Sequence, residues 1–142
     1  PRPSALEIEM KFIEEITHSG QTLALIIRAE LPLTATTFVT PSEYLQQVGF
    51  VVYEKGSEIA RHVHLPLERS IVGTTEVLIV RKGRCELDIY TQNRELVATR
   101  ELRTGDVMLM VAGGHGFRML EDTVLLEVKQ GPYTGLDEKE RF

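Results

Sequence analysis

Two histidines one residue apart, His62 and His64, close the stretch GSEIARHVH that runs from Gly56 to His64. Residues two apart on a β-strand point to the same face, so this spacing presents two imidazoles to one point, where they can share a metal ion. Two ordinary histidines on an exposed strand face have the same spacing, and the pair alone does not separate the two readings. More of a pattern surrounds it. Five residues separate Gly56 from His62, six separate Glu76 from Gly83, and a third histidine, His115, follows a glycine-rich turn after Gly105. Gly113, Gly114 and Gly116 around His115 permit sharp backbone turns that can aim its ring inward.

The elements that must position these side chains read as strands. From about Val48 onward, apolar alternation is interrupted by turn pairs at Lys55-Gly56, Lys82-Gly83, Gln92-Asn93, Thr104-Gly105, Gly113-Gly114 and Glu121-Asp122, the punctuation of an all-β sandwich or barrel. Cys85, Leu87 and Ile89 face one way while Glu86, Asp88 and Tyr90 face the other, which predicts a half-buried strand. Further strands are expected over Glu76 to Val80, Leu96 to Leu102, Asp106 to Val111 and Val124 to Val128. In the first forty residues, Leu6, Ile8, Met10 and Phe12 alternate with charged residues and Leu23 to Ile27 is a continuous apolar run. Both read as additional N-terminal strands. Pro41 to Gln47 has room for one helical turn capped by Thr40. The tail over 132–142 is polar, carries Pro132 and Gly135, and is expected to be loosely ordered.

The histidine pair, the spaced glutamate and the later histidine together resemble the cupin family, over roughly Gly56 to Met119. The first cupin motif reads G-x5-H-x-H-x(3,4)-E-x6-G and the second G-x5-P-x-G-x2-H-x3-N. Gly113 to Phe117 (GGHGF) and Glu127 to Tyr133 (EVKQGPY) further resemble a subgroup of small bacterial cupins without an assigned reaction. The resemblance implies a double-stranded β-helix, or jelly-roll barrel. It also implies one divalent metal ion held inside by His62, His64, Glu76 and His115. Imidazole and carboxylate donors suit a first-row ion such as Zn, Fe, Mn or Ni, and the sequence does not choose among these. Four protein ligands on a six-coordinate ion leave two positions for water, oxygen or a chelating substrate. The chain departs from the pattern in places. Eleven residues, LPLERSIVGTT, separate His64 from Glu76, whereas Glu68 has the usual distance from His64 but no glycine at the usual distance beyond it. Val111 stands where proline is usual, one residue is missing before His115, and Met119 replaces the asparagine.

Tyr53, Arg61, Phe117 and Glu127 are candidates to contact a substrate inside the barrel, and Lys129 lies on the same predicted strand as Glu127. A charge buried there needs a partner or a ligand. Cys85 shares a face with Leu87 and Ile89 and reads as a small core residue. His18, in the turn-like Thr17-His18-Ser19-Gly20, reads as exposed.

With 142 residues, 42% hydrophobic and 26% charged, the chain has the size and composition of a single globular domain. A net charge of −5 with scattered basic residues gives no cationic face for a nucleic-acid backbone. The start has no basic and apolar signal-like pattern, and no apolar run approaches the length of a membrane span. The single cysteine fits a reducing compartment, so a cytoplasmic location is expected, with a small-molecule ligand and a homodimer as partners. Three functions remain open. One is a metal-dependent enzyme acting on a small polar molecule, another a ligand-binding module without turnover, and the third a metal-free sugar isomerase or epimerase with a histidine general base.

Overall fold

The computed structural model describes Ser4, Glu7 and residues 11–142, for 136 and 137 the backbone alone. The chain divides into two compact units, one comprising Pro1–Leu31 with Thr74–Phe142 and the other Pro32–Gly73. Among the described residues no helix is long and apolar enough to cross a membrane.

The first unit is built of antiparallel sheets. One is five-stranded, from β1 (Ile13–His18), β2 (Gln21–Ile27), β5 (Glu76–Lys82), β8 (Val107–Met110) and β10 (Val124–Lys129), in the order β1-β2-β8-β5-β10. The other is three-stranded, from β6 (Arg84–Tyr90), β7 (Leu96–Arg103) and β9 (Gly114–Met119), in the order β7-β6-β9. The strands expected from alternation between Glu76 and Val128 are all present, as is the one over Leu23 to Ile27. Ser19 and Gly20, with φ of 50° and 77°, make the tight turn that joins β1 to β2. Two successive positive φ values twist the chain in the sense of the flanking strands, which is what a two-residue hairpin requires.

Strand register decides which side chains meet. One row across the five-stranded sheet reads Ile16, Ala24, Met110, Glu76, Lys129, and the next includes Ile26, Met108, Leu78 and Glu127. In the three-stranded sheet Ile89 stands opposite His115 and Leu87 opposite Phe117. The apolar members of these rows form one core with Val80, Cys85 and Leu102, and Phe117 packs against it. Leu87, Ile89 and Met108 are fully buried, each worth about 1.5–3 kcal/mol of transfer free energy. Buried Asp106 ties the loops together at one end. Its carboxylate accepts hydrogen bonds from the Ala29 and Arg103 amides at 2.8 Å each and pairs with Arg28 at 3.1 Å.

The second unit holds one short pairing, β3 (Thr37–Phe38) with β4 (Gly49–Phe50). Three expectations are corrected by the structure. Residues 51–75 contain no strand, so His62 and His64 lie in irregular chain. Ile59, Val63, Leu65 and Leu67 have the alternation of a strand, but they are exposed and no ladder pairs the segment among the described residues. Alternation produces a strand only where a neighbouring edge supplies hydrogen bonds. Second, Pro41 to Gln47 forms no helix. The Pro41 carbonyl accepts from the Tyr44 amide at 3.1 Å, while the Thr40 hydroxyl bonds Gln47 at 2.7 Å and Val48 at 3.1 Å instead of capping. Third, the N-terminal strand expected over Leu6 to Phe12 gives way to helix at Glu7, Lys11 and Phe12, while Leu6, Ile8 and Met10 lie outside the described residues. Ser4 and Glu7 bond each other's backbone amides reciprocally, at 2.6 and 3.1 Å. That capping box is an S-x-x-E signature which fixes helix locally and overrides the alternation.

Candidate metal centre

Glu76 opens β5 on the same face as Leu78 and Val80, both core residues, so its carboxylate is carried inward by the strand that fills the core. His115 is carried inward from the facing sheet, where β9 places it opposite fully buried Ile89. Gly113, just before β9, has φ of 76°, and a Cβ there would stand 2.2 Å from the Tyr90 carbonyl oxygen. Only glycine fits this turn, and the turn sets the entry of His115 into its strand. The ring of Phe117 meets that of His115 edge to face, with centroids 5.7 Å apart.

The two side chains meet with His115 Nε2 3.1 Å from Glu76 Oε2, and 24% and 15% of their surfaces remain accessible. The contact is close but not aligned as a hydrogen bond. Among the described residues, Glu76 Oε2 is the buried side-chain polar atom left without a hydrogen-bond partner. The contact with His115 holds the Glu76 carboxyl below its ordinary range, against the burial that pushes it up; Glu127 and Lys129 add to the lowering. A folded-state pKa below the unfolded one makes the ionised carboxylate stabilising above the ordinary carboxyl range, a contribution lost as pH falls through the folded value.

An imidazole nitrogen and a carboxylate oxygen in this arrangement fit adjacent positions around a metal. Ligand atoms about 2.1 Å from one ion, at angles of roughly 90–109°, stand about 3.0–3.4 Å apart. The 3.1 Å separation lies within that range, and an unpaired buried oxygen is the atom that a cation satisfies.

In the second unit His62 and His64 are exposed neighbours, with ring centroids 5.2 Å apart. His62 Nδ1 lies 2.7 Å from the Ala60 carbonyl oxygen. A carbonyl only accepts, so Nδ1 carries the proton, the arrangement found in histidines that ligate metal through Nε2. The expected four-ligand set is thus present as two pairs, and among the described residues no group of three or more histidine, cysteine, aspartate or glutamate side chains is gathered as a metal sphere.

Of the substrate-contact candidates, Phe117 is half-buried opposite Leu87, while Glu127, in register with Leu78, is exposed. Tyr53 and Arg61 lie in irregular, exposed chain of the second unit. Glu68 is exposed in the same segment. Cys85 is buried, and burial pushes its thiol up, with Asp106 adding to the shift. His18 is exposed at its hairpin turn.

Sequence reasoning gave no role to Glu138 or Tyr133, which sit in the tail expected to be loose. Glu138, in the 3-10 turn Gly135–Glu138, lies 3.6 Å from Lys129 Nζ, and Phe142 packs edge to face on Tyr90 at 5.0 Å. No local pattern announces these contacts, since each partner is distant in sequence. Compared with protein-family models, with curated proteins and with solved structures, the chain matches none.

Proposed function

We propose that this chain is a cupin-like protein that binds one divalent first-row metal ion through His62, His64, Glu76 and His115 and uses the site on a small polar molecule. The observation that carries the reading is the unpaired buried Oε2 of Glu76 facing His115 Nε2 at 3.1 Å. In this reading Glu76 and His115 supply a preset pair of donors, and His62 and His64 supply the imidazoles of the second unit. Bound there, the metal supplies Lewis acidity at its open positions. Phe117 walls one side of the His115 ring and keeps it in place, while half-buried Lys129 at the end of β10 stands in register with Glu76.

The Glu76–His115 contact also invites a metal-free reading, with His115 as a general base oriented by a carboxylate. Orientation of that kind needs the carboxylate to accept the ring N–H in line, as in carboxylate–histidine dyads. Glu76 Oε2 has no aligned donor, and a bound cation would satisfy it. The test is metal analysis of protein purified without chelator, followed by removal and re-addition of the metal. About one equivalent per chain that returns on re-addition supports the reading, and a protein that neither carries nor takes up metal refutes it.

A further inference from the structure

Lys129 ends β10 in register with Glu76, and its side chain is only 20% exposed. A half-buried ammonium group needs a negative partner. It finds one in Glu138, whose carboxylate, 16% exposed, comes from the 3-10 turn of the C-terminal segment. At 3.6 Å the contact is longer than the roughly 2.7–2.9 Å of a charge-assisted hydrogen bond, so the two charges attract without the geometry of a strong pair. Tyr133 stands against the same ammonium, its ring centre 5.4 Å from Nζ, and is itself largely exposed.

The segment has a second attachment of its own. Arg94 pairs with Glu140 at 2.9 Å and lies 5.2 Å over the Phe142 ring, which packs on Tyr90. Glu138 can therefore leave Lys129 while the far end of the segment stays fixed. The turn that carries it is four residues long and is followed by four exposed residues. Among the described residues, moving Glu138 aside breaks one long ion pair and no sheet ladder.

We propose that Lys129 anchors the carboxylate of a small anionic ligand, and that Glu138 fills this position in the ligand-free protein, so that the segment Tyr133–Phe142 is a strap whose Glu138 turn moves aside on binding while its Phe142 end stays attached. The proposal deepens the reading above, on which it rests, by naming the ligand class of the same site. Geometry supports it. Lys129 stands in register with Glu76 on one side and 3.6 Å from Glu138 on the other, and the Glu138 position beside the ammonium is one that a ligand carboxylate can take instead. A ligand with a carboxylate at Lys129 and an oxygen donor toward Glu76 and His115 fits both groups at once.

The test uses the full-length chain, freed of metal, with malonate as the probe at constant ionic strength, read by backbone amide chemical shifts. In wild type, malonate should shift Lys129, Tyr133 and Glu138 with weak affinity. If the open strap is the minor state, Glu138→Gln removes the internal competitor and tightens malonate by about fivefold or more. Lys129→Met should abolish the shifts, and Lys129→Arg, which keeps the charge should Met disturb the strand end, should retain them. Equal affinity in wild type and Glu138→Gln, malonate binding unchanged by Lys129→Met, or no binding in wild type and Glu138→Gln alike overturns the proposal. Because metal is absent throughout, these outcomes are separate from those of the metal analysis, whose failure would leave the malonate shifts unaffected.

Discussion

Replacing Glu76 by Gln separates the function of this carboxylate from its part in folding. In the metal-free protein at pH 8 the change weakens the contact with His115 and removes the attraction of Lys129 but also removes a buried oxygen that lacks an aligned donor. An unsatisfied buried group costs about 1–3 kcal/mol, comparable to what a half-buried charge gains from one neighbour, so net stability should move by no more than about 1 kcal/mol. For a chain of this size that is roughly 3–4 °C in Tm. The metal-loaded protein should respond very differently. At about 100 times the dissociation constant a bound metal stabilises wild type by about 2.7 kcal/mol, or roughly 8–11 °C. Loss of a ligand that weakens binding by about 100-fold, the upper range seen even for groups behind the ligands, leaves about 0.4 kcal/mol and a shift of only 1–2 °C. Glu68→Gln, in exposed irregular chain, should change stability by less than about 0.5 kcal/mol and keep the full metal-induced shift. Thermal melts of the three proteins with and without metal, paired with bound-metal stoichiometry, measure both quantities. A full shift in Glu76→Gln would refute the assignment, and loss in Glu68→Gln alone would mean that the shorter motif spacing aligns this chain.

Three further outcomes are expected. Bound metal should be released as pH falls through about 6 to 5, because protons compete for imidazoles with a reference pKa near 6.5; retention at about pH 4 would count against histidine ligation. Cys85, buried with its thiol pushed up, should resist thiol reagents in the native protein and react promptly in denaturant, and rapid native labelling would contradict the burial. Light scattering at micromolar concentration should give a dimer, because open sheet edges invite pairing and two-fold dimers are the commonest closed assembly, whereas a clean 16.0 kDa species argues for the monomer.

The sequence by itself determined β2, β5, β6, β7, β8 and β10 of the first unit, but neither β1 nor β9, the strand that carries His115. Cys85, Leu87 and Ile89 alternate with polar residues, and period-two alternation has a single structural meaning where a core waits on one side. It also determined that Glu76 points inward, because Leu78 and Val80 on the same face are apolar. Alternation was not enough around His62 and His64 or before Phe12. A strand also needs a partner edge, and a local capping box between Ser4 and Glu7 selects helix over the same pattern. Only the tertiary structure decided that Glu76 meets His115 with one oxygen left unpaired, and that Lys129 meets Glu138. Glu76 and His115 are far apart in the chain and Lys129 and Glu138 are joined across a non-repetitive loop, so their distance and alignment follow from how the sheets face each other and how the tail returns, which no local spacing encodes.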